Sequence, residues 1–232
     1  VGLIAGIMLT IAAKVMYVPE DERVTACTEA LPGANCGGCG FAGCSDYASA
    51  VVNVGAALTL CPVGGAGAAA KLGEVMGVAV GDVEGEYAVV RCKGYNDKTS
   101  KILKYHGVPS CKGVKSMYNG DGACQWGCLG MGDCVRACKF NAIGIVNGVA
   151  WVDRGNCVGC GACASVCPTR IIDMVPQKSI VYVGCSSCDK GGVTRKACES
   201  GCIGCRKCEK ECKFGAIAIE NRSATYKEFE PG

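Results

Sequence analysis

The residues whose types and spacing could do chemistry are cysteines standing two or three positions apart. Cys157, Cys160, Cys163 and Cys167, followed by Pro168, form a C-x2-C-x2-C-x3-C-P run. Three thiolates on so tight a loop can cap three irons of one [4Fe-4S] cube, after which the chain turns away and the fourth thiolate reaches a neighbouring cube. A related quartet, Cys124, Cys128, Cys134 and Cys138, precedes this run, and Cys202, Cys205, Cys208 and Cys212 follow it. Near the start, Cys36, Cys39 and Cys44 lie in the Gly-rich stretch "LPGANCGGCGFAGC", with Cys61 before Pro62 as the natural fourth ligand. Zinc competes for C-x2-C pairs, but a zinc ribbon wants two separated pairs, not three cysteines close together and one far away. The 22 cysteines are even in number, as a disulfide scaffold requires, yet such scaffolds scatter their half-cystines through loops. The clustered spacing favours metal, and with it a reducing, cytoplasm-facing compartment.

These thiolates need elements to hold them. With 4 Phe and 2 Trp against 35 Gly, apolar burial alone makes a poor core, and metal must help hold the chain together. Between the central quartets, "AIGIVNGVAWVD" reads as two short strands around Asn147-Gly148, a hairpin turn signal. Quartets and hairpin together resemble the two-cluster ferredoxins, in which the fourth cysteine of each run serves the other cluster. That crossover assigns Cys124, Cys128, Cys134 and Cys167 to one cluster and Cys157, Cys160, Cys163 and Cys138 to the other. The chain also repeats itself. Laid 74 residues apart, "ACQWGCLGMGDCVRACKFNAI" and "ACESGCIGCRKCEKECKFGAI" match at every cysteine of the first copy, and at Phe140 with Phe214 and Ile143 with Ile217. Cys205 stands where the first copy has Met131 and restores the compact run, which leaves Cys198 spare. The same offset carries Cys157 to Pro231. A partner quartet is therefore expected beyond Gly232; without one, Cys198 or the pair Cys185 and Cys188 must complete a single cluster.

Several features carry less chemistry. Cys27, Cys92, Cys111, Cys185 and Cys188 join no quartet and are read as small buried hydrophobes, with Cys185 and Cys188 the pair close enough to the last run to matter. His106 reads as a loop residue. "GGAGAAAKLGEVMG" lacks the preceding strand and acidic partner of a nucleotide-binding loop, so an Ala-rich helix beside the first cluster is expected. Lys139 and Lys213 replace the usual proline after the fourth cysteine, and are either plain surface residues or cations that raise a cluster's potential. From Arg91 to Lys115, seven basic residues face Asp97 alone. This is a solvated linker or a patch that steers an acidic electron carrier; no motif or stacking aromatics suggest nucleic acid. The opening "VGLIAGIMLTIAAKVMYV" reads as most of a transmembrane helix, with Lys14 and Arg23 placing the remainder on the cytoplasmic side.

The expected architecture is α+β: an anchor at 1–19, a small helical [4Fe-4S] domain at 20–90, a basic linker at 91–123, a two-cluster ferredoxin-like domain at 124–176 and a partial second repeat at 177–232. In this order "LPGANCGGCG", "CPVGG", "GCLGMGDCVRAC", "CVGCGACASVCP" and "GCIGCRKCEKEC" resemble the B subunit of the Rnf complex. The resemblance implies an electron-transfer subunit of a membrane-bound, ion-pumping ferredoxin:NAD+ oxidoreductase. It also implies at least three [4Fe-4S] clusters, four or more in the full-length chain, with reduced ferredoxin as donor and other Rnf subunits as partners. No NAD or flavin site is expected on this chain. A soluble polyferredoxin, or the iron-sulfur subunit of another oxidoreductase, is the alternative.

Overall fold

The computed structural model describes Gly6, Met8, Thr10, Ile11 and residues 21–179, 181–220 and 223–226. The expected anchor thus lies largely outside the described residues, and among them no helix is long and apolar enough to cross a membrane.

The N-terminal unit packs α1 (Glu22–Ala30) against α2 (Cys44–Val54) and α3 (Gly65–Met76). Asp21 starts α1 by accepting the Arg23 amide at 2.9 Å, and Asn35 Oδ1 accepts the Cys44 amide at the head of α2 at 2.7 Å. Left-handed Gly55 and Gly77 end α2 and α3. Cys27, Tyr47, Val51 and Leu72 fill the core, so Cys27 is the buried hydrophobe its isolation suggested. The Ala-rich stretch is α3.

The ferredoxin-like unit pairs β1 (Glu86–Val90) antiparallel with β4 (Ile172–Pro176), Tyr87 opposite Val175 and Val89 opposite Asp173. Between them lie α4 (Cys111–Ser116), α5 (Asp133–Ala137), the hairpin β2 (Ile143–Val146) and β3 (Val149–Val152), and α6 (Ala162–Val166). Asn147 and Gly148 both have positive φ, 48° and 80°, the pair of left-handed residues that a two-residue hairpin turn demands. Ala88, Val90, Ile143, Val149, Ala150, Ile171 and Ile172 form the core together with Cys134 and Cys163. β1 thus stands ahead of the basic stretch and pairs across it with β4. Residues 91–123 are an insertion folded onto this unit. Thr99 bridges Cys198, and the Glu199 amide donates to the Lys98 carbonyl at 2.9 Å.

The second copy adds α7 (Gly191–Ala197), α8 (Lys207–Glu211) and the hairpin β5 (Ile217–Glu220) and β6 (Ser223–Tyr226). α8, β5 and β6 each begin and end 74 residues after α5, β2 and β3, so the duplication is one of structure as well as of cysteines.

Candidate metal centres

Cys36, Cys39, Cys44 and Cys61 line one cavity, with Tyr47 and Pro62 in its wall. The Gly64 amide donates to Cys61 Sγ at 3.3 Å, and burial pushes that thiol's pKa up. The loop carrying Cys36 and Cys39 lies against the next centre. A methyl group on Gly38 would stand 2.9 Å from both the Cys160 carbonyl oxygen and Pro62 Cγ. Lys139 donates to the Asn35 carbonyl at 2.8 Å, which gives this lysine a bridging role between the two units.

Cys138, Cys157, Cys160 and Cys163 line a second cavity, closed by Ala88, Ile143 and Met174. Here backbone amides reach sulfur: Ala88 donates to Cys157 Sγ and Ala142 to Cys138 Sγ, each at 3.4 Å. Burial pushes Cys163 up to about 11, with the Cys157 and Cys160 thiolates acting in the same direction. The crossover thiolate of Cys138 and the three of the later loop thus share one space.

The third cavity departs from the sequence expectation, since neither Cys124 nor Cys128 is in its lining. It is lined by Cys134 and Cys167, as anticipated, and also by Cys111 and Leu129. Burial pushes Cys134 up to about 12, and the thiolates adding to that are Cys128, Cys111 and Cys167. Cys128 Sγ accepts the Ala150 amide at 3.4 Å. Cys124 lies elsewhere. It lines a separate cavity with Cys92, Cys128, Cys185 and Cys198, and burial raises it to about 11, opposed by the Trp126 amide and aided by the thiolates of Cys92, Cys185 and Cys198. The reason lies in the duplication. Met131 occupies the register in which the second copy has Cys205, so the first loop lacks a thiolate, and Cys111 on α4 packs beside Met131 and Leu129. The offset of 74 carries Cys111 onto Cys185 as it carries Cys124 onto Cys198, a signal that could have set Cys111 and Cys185 apart from the buried hydrophobes.

In the last run, Cys205 and Cys208 are exposed, and amides of Phe214 and Ala216 hold the Cys212 thiol below the usual range.

The donor chemistry fits [4Fe-4S] cubes. Each site gathers thiolates, backbone amides point at their sulfurs, and a cube takes each thiolate on a different iron. Among the described residues no three Cys, His, Asp or Glu side chains converge closely enough to share one ion, whereas zinc would draw its sulfurs to about 2.3 Å from a single centre. The raised thiols must release protons when they become ligands.

An Fe-S cluster family model, FeS, matches residues 31–63, and the 4Fe-4S binding domain matches residues 150–173. The chain is 42% identical over 219 residues to the B subunit of the ion-translocating oxidoreductase complex of Methanosarcina acetivorans, covering 94% of this chain and 83% of the relative. It is 43% identical over 224 residues to the B subunit of the Na(+)-translocating ferredoxin:NAD(+) oxidoreductase complex of Acetobacterium woodii, covering 96% and 67%. The chain belongs to the family of Rnf B subunits. A third member, from the proton-translocating ferredoxin:NAD(+) oxidoreductase complex of Clostridium ljungdahlii, is 39% identical over 97% of this chain and 80% of its own length. The B subunit of an Rnf complex is an iron-sulfur electron-transfer subunit of an oxidoreductase, and multiple 4Fe-4S clusters accord with both domain matches and the cysteine content.

Proposed function

We propose that this chain takes electrons from reduced ferredoxin on the cytoplasmic side of the membrane and passes them toward the other subunits of an ion-pumping ferredoxin:NAD+ oxidoreductase. The apolar run at its start would hold it at the membrane. A bound [4Fe-4S] cluster supplies a one-electron store at each site, and the polypeptide fixes where those stores lie. The observation carrying the reading is contiguity: the loop of Cys36 and Cys39 abuts Cys160 through Gly38, and the short helices α5 and α6, which bear Cys134 and Cys163, pack on each other. Sites in direct contact are what a relay needs; a storage or structural role does not require it.

The ligand sets supported are Cys36, Cys39, Cys44 and Cys61; Cys138, Cys157, Cys160 and Cys163; and Cys111, Cys128, Cys134 and Cys167. Cys202, Cys205 and Cys208 offer three thiolates to a further cube, with Cys212 turned toward another. The first three sets hold about twelve irons. Anaerobic iron and sulfide analysis, followed by an EPR-monitored redox titration and stopped-flow mixing with reduced ferredoxin, tests the reading. Stoichiometric zinc with little sulfide, or clusters that ferredoxin does not reduce, would defeat it. Within the third set, Cys111→Ala should disturb the same EPR signal as Cys134→Ala and Cys167→Ala.

A further inference from the structure

We infer that Cys92, Cys124, Cys185 and Cys198 hold an additional [4Fe-4S] cluster in the cavity between the two ferredoxin-like copies. The inference rests on the reading of the chain as a cluster carrier and adds a site to it.

Four observations converge on this cavity. All four cysteines line it, together with Cys128 of the third set, and two of the four, Cys92 and Cys198, are buried. They come from four separate stretches: the segment just after β1, the loop before α5, the segment between β4 and α7, and the end of α7. A spare thiol packed at random in the core has no reason to meet three others.

The cavity is also built around the duplication. Cys124 and Cys198 are equivalent residues of the two copies. The other two sulfurs accept amides from equivalent residues: the Cys128 amide donates to Cys92 Sγ at 3.4 Å and the Cys202 amide donates to Cys185 Sγ at 3.3 Å. This is the amide-to-sulfur contact seen at Cys61, Cys138 and Cys157. Cys188, which is absent from the cavity lining, behaves differently, its thiol pointing at the Ser186 carbonyl at 3.6 Å.

Space has been kept clear as well. A methyl group on Gly94 would lie 3.3 Å from Cys198 Sγ and 3.6 Å from Cys92 Sγ, so glycine leaves room where two sulfurs approach the backbone. Finally, Trp126 lines the cavity, and its Nε1–H is buried with no hydrogen-bond partner among the described residues. An indole donor so placed calls for an acceptor that the protein itself does not supply, and a sulfide of the cube is one. Arg91, Lys93 and Lys101 also line the cavity, a cationic surround suited to an anionic cluster.

The test is made on the full-length subunit in its complex, purified anaerobically. Cys92→Ala and Cys198→Ala should each lower the iron content by about four per chain. They should also abolish one and the same EPR signal, leave the signal lost in Cys134→Ala, and retain that of the N-terminal set, which serves as the control for folding. Cys188→Ala should change neither. If a cysteine variant fails to accumulate, Gly94→Val provides the second route: it keeps every thiol but fills the space between Cys92 and Cys198, and should remove the same signal. Unchanged iron in Cys92→Ala, Cys198→Ala or Gly94→Val overturns the site, as does loss of one zinc in place of iron. So does a Cys124→Ala chain that loses the Cys134 signal. Little iron or sulfide in the unmodified chain would defeat the cluster reading as a whole, whereas full iron elsewhere with no response at Cys92 defeats this assignment alone.

Discussion

Lys101 illustrates how single side chains in the basic stretch are used. Its ammonium donates to both carboxylate oxygens of Asp121 at 2.8 and 2.9 Å, and the Asp121 side chain is only 8% exposed. The Asp121 carbonyl in turn accepts the amides of Ile102 and Leu103. Lys101→Met would strand a buried carboxylate, at a cost of about 2 kcal/mol. Circular dichroism of the anaerobic holoprotein should show the melting midpoint falling by roughly 5 °C, while Lys104→Met on the exposed loop should leave it in place. Equal midpoints would mean that water already serves Asp121. Charge counting could not see this pair, or that Lys98 faces Glu199 at 3.2 Å and Arg91 faces Asp173 at 3.0 Å, because each acid lies far along the chain. On the proposed function, steering of an acidic partner would fall to exposed residues such as Lys104 and Lys112. Reversing both to Glu should slow ferredoxin oxidation several-fold at low salt and little at high salt, where charges are screened beyond roughly 10 Å at 0.1 M. Stopped-flow rates indifferent to both would remove the steering role.

Among the elements, the three short helices that follow the cysteine loops begin alike. Each is entered through a left-handed residue, Gly132 before α5, Gly161 before α6 and Arg206 before α8, the last at a φ of 59°. An L-residue there costs roughly 1 kcal/mol against glycine, and the Arg206–Glu209 contact at 3.9 Å is too long and exposed to offset much of that. Arg206→Gly should therefore strengthen α8, raising hydrogen-exchange protection at the Lys210 amide, which donates to the Arg206 carbonyl at 3.1 Å. Weaker protection would show the ion pair to matter more than the strain. The hairpin was legible because Asn147-Gly148 is a local instruction, and the second copy because it repeats the first in register. β1 was not, since its pairing with β4 is decided about 85 residues away and its short apolar run carries no turn signal. The same distance hid the ligands: tight spacing names the cysteines of a loop, but not Cys111, which substitutes for a thiolate the loop lacks, nor the departure of Cys124 to a different cavity.

For the whole molecule, the contact at Gly38 decides whether the N-terminal unit is wired to the rest. Gly38→Val would force the Cys36 loop away from the Cys160 carbonyl without touching a thiol. Iron content should stay constant while electron exchange between the two clusters slows, as followed by rapid-freeze EPR after partial reduction; an unchanged rate would mean that the units are joined elsewhere. The four cavities also differ in how much chain each must wait for. Cys36, Cys39, Cys44 and Cys61 lie within one short stretch, while the cavity of Cys92 and Cys124 is closed only by Cys185 and Cys198. Biogenesis therefore has an order. The first set can be metallated while the ribosome is still translating the rest, but Cys92 and Cys124 must pass through synthesis as bare thiols until Cys198 has emerged. Brief oxygen exposure during a synchronised pulse of translation should accordingly oxidise Cys92 and Cys124 in preference to Cys36 and Cys39, measurable by differential thiol alkylation and mass spectrometry. Equal labelling would mean that loading is wholly post-translational. The supply of iron and sulfide that matures this protein is needed later where its two halves meet than at its N-terminal set.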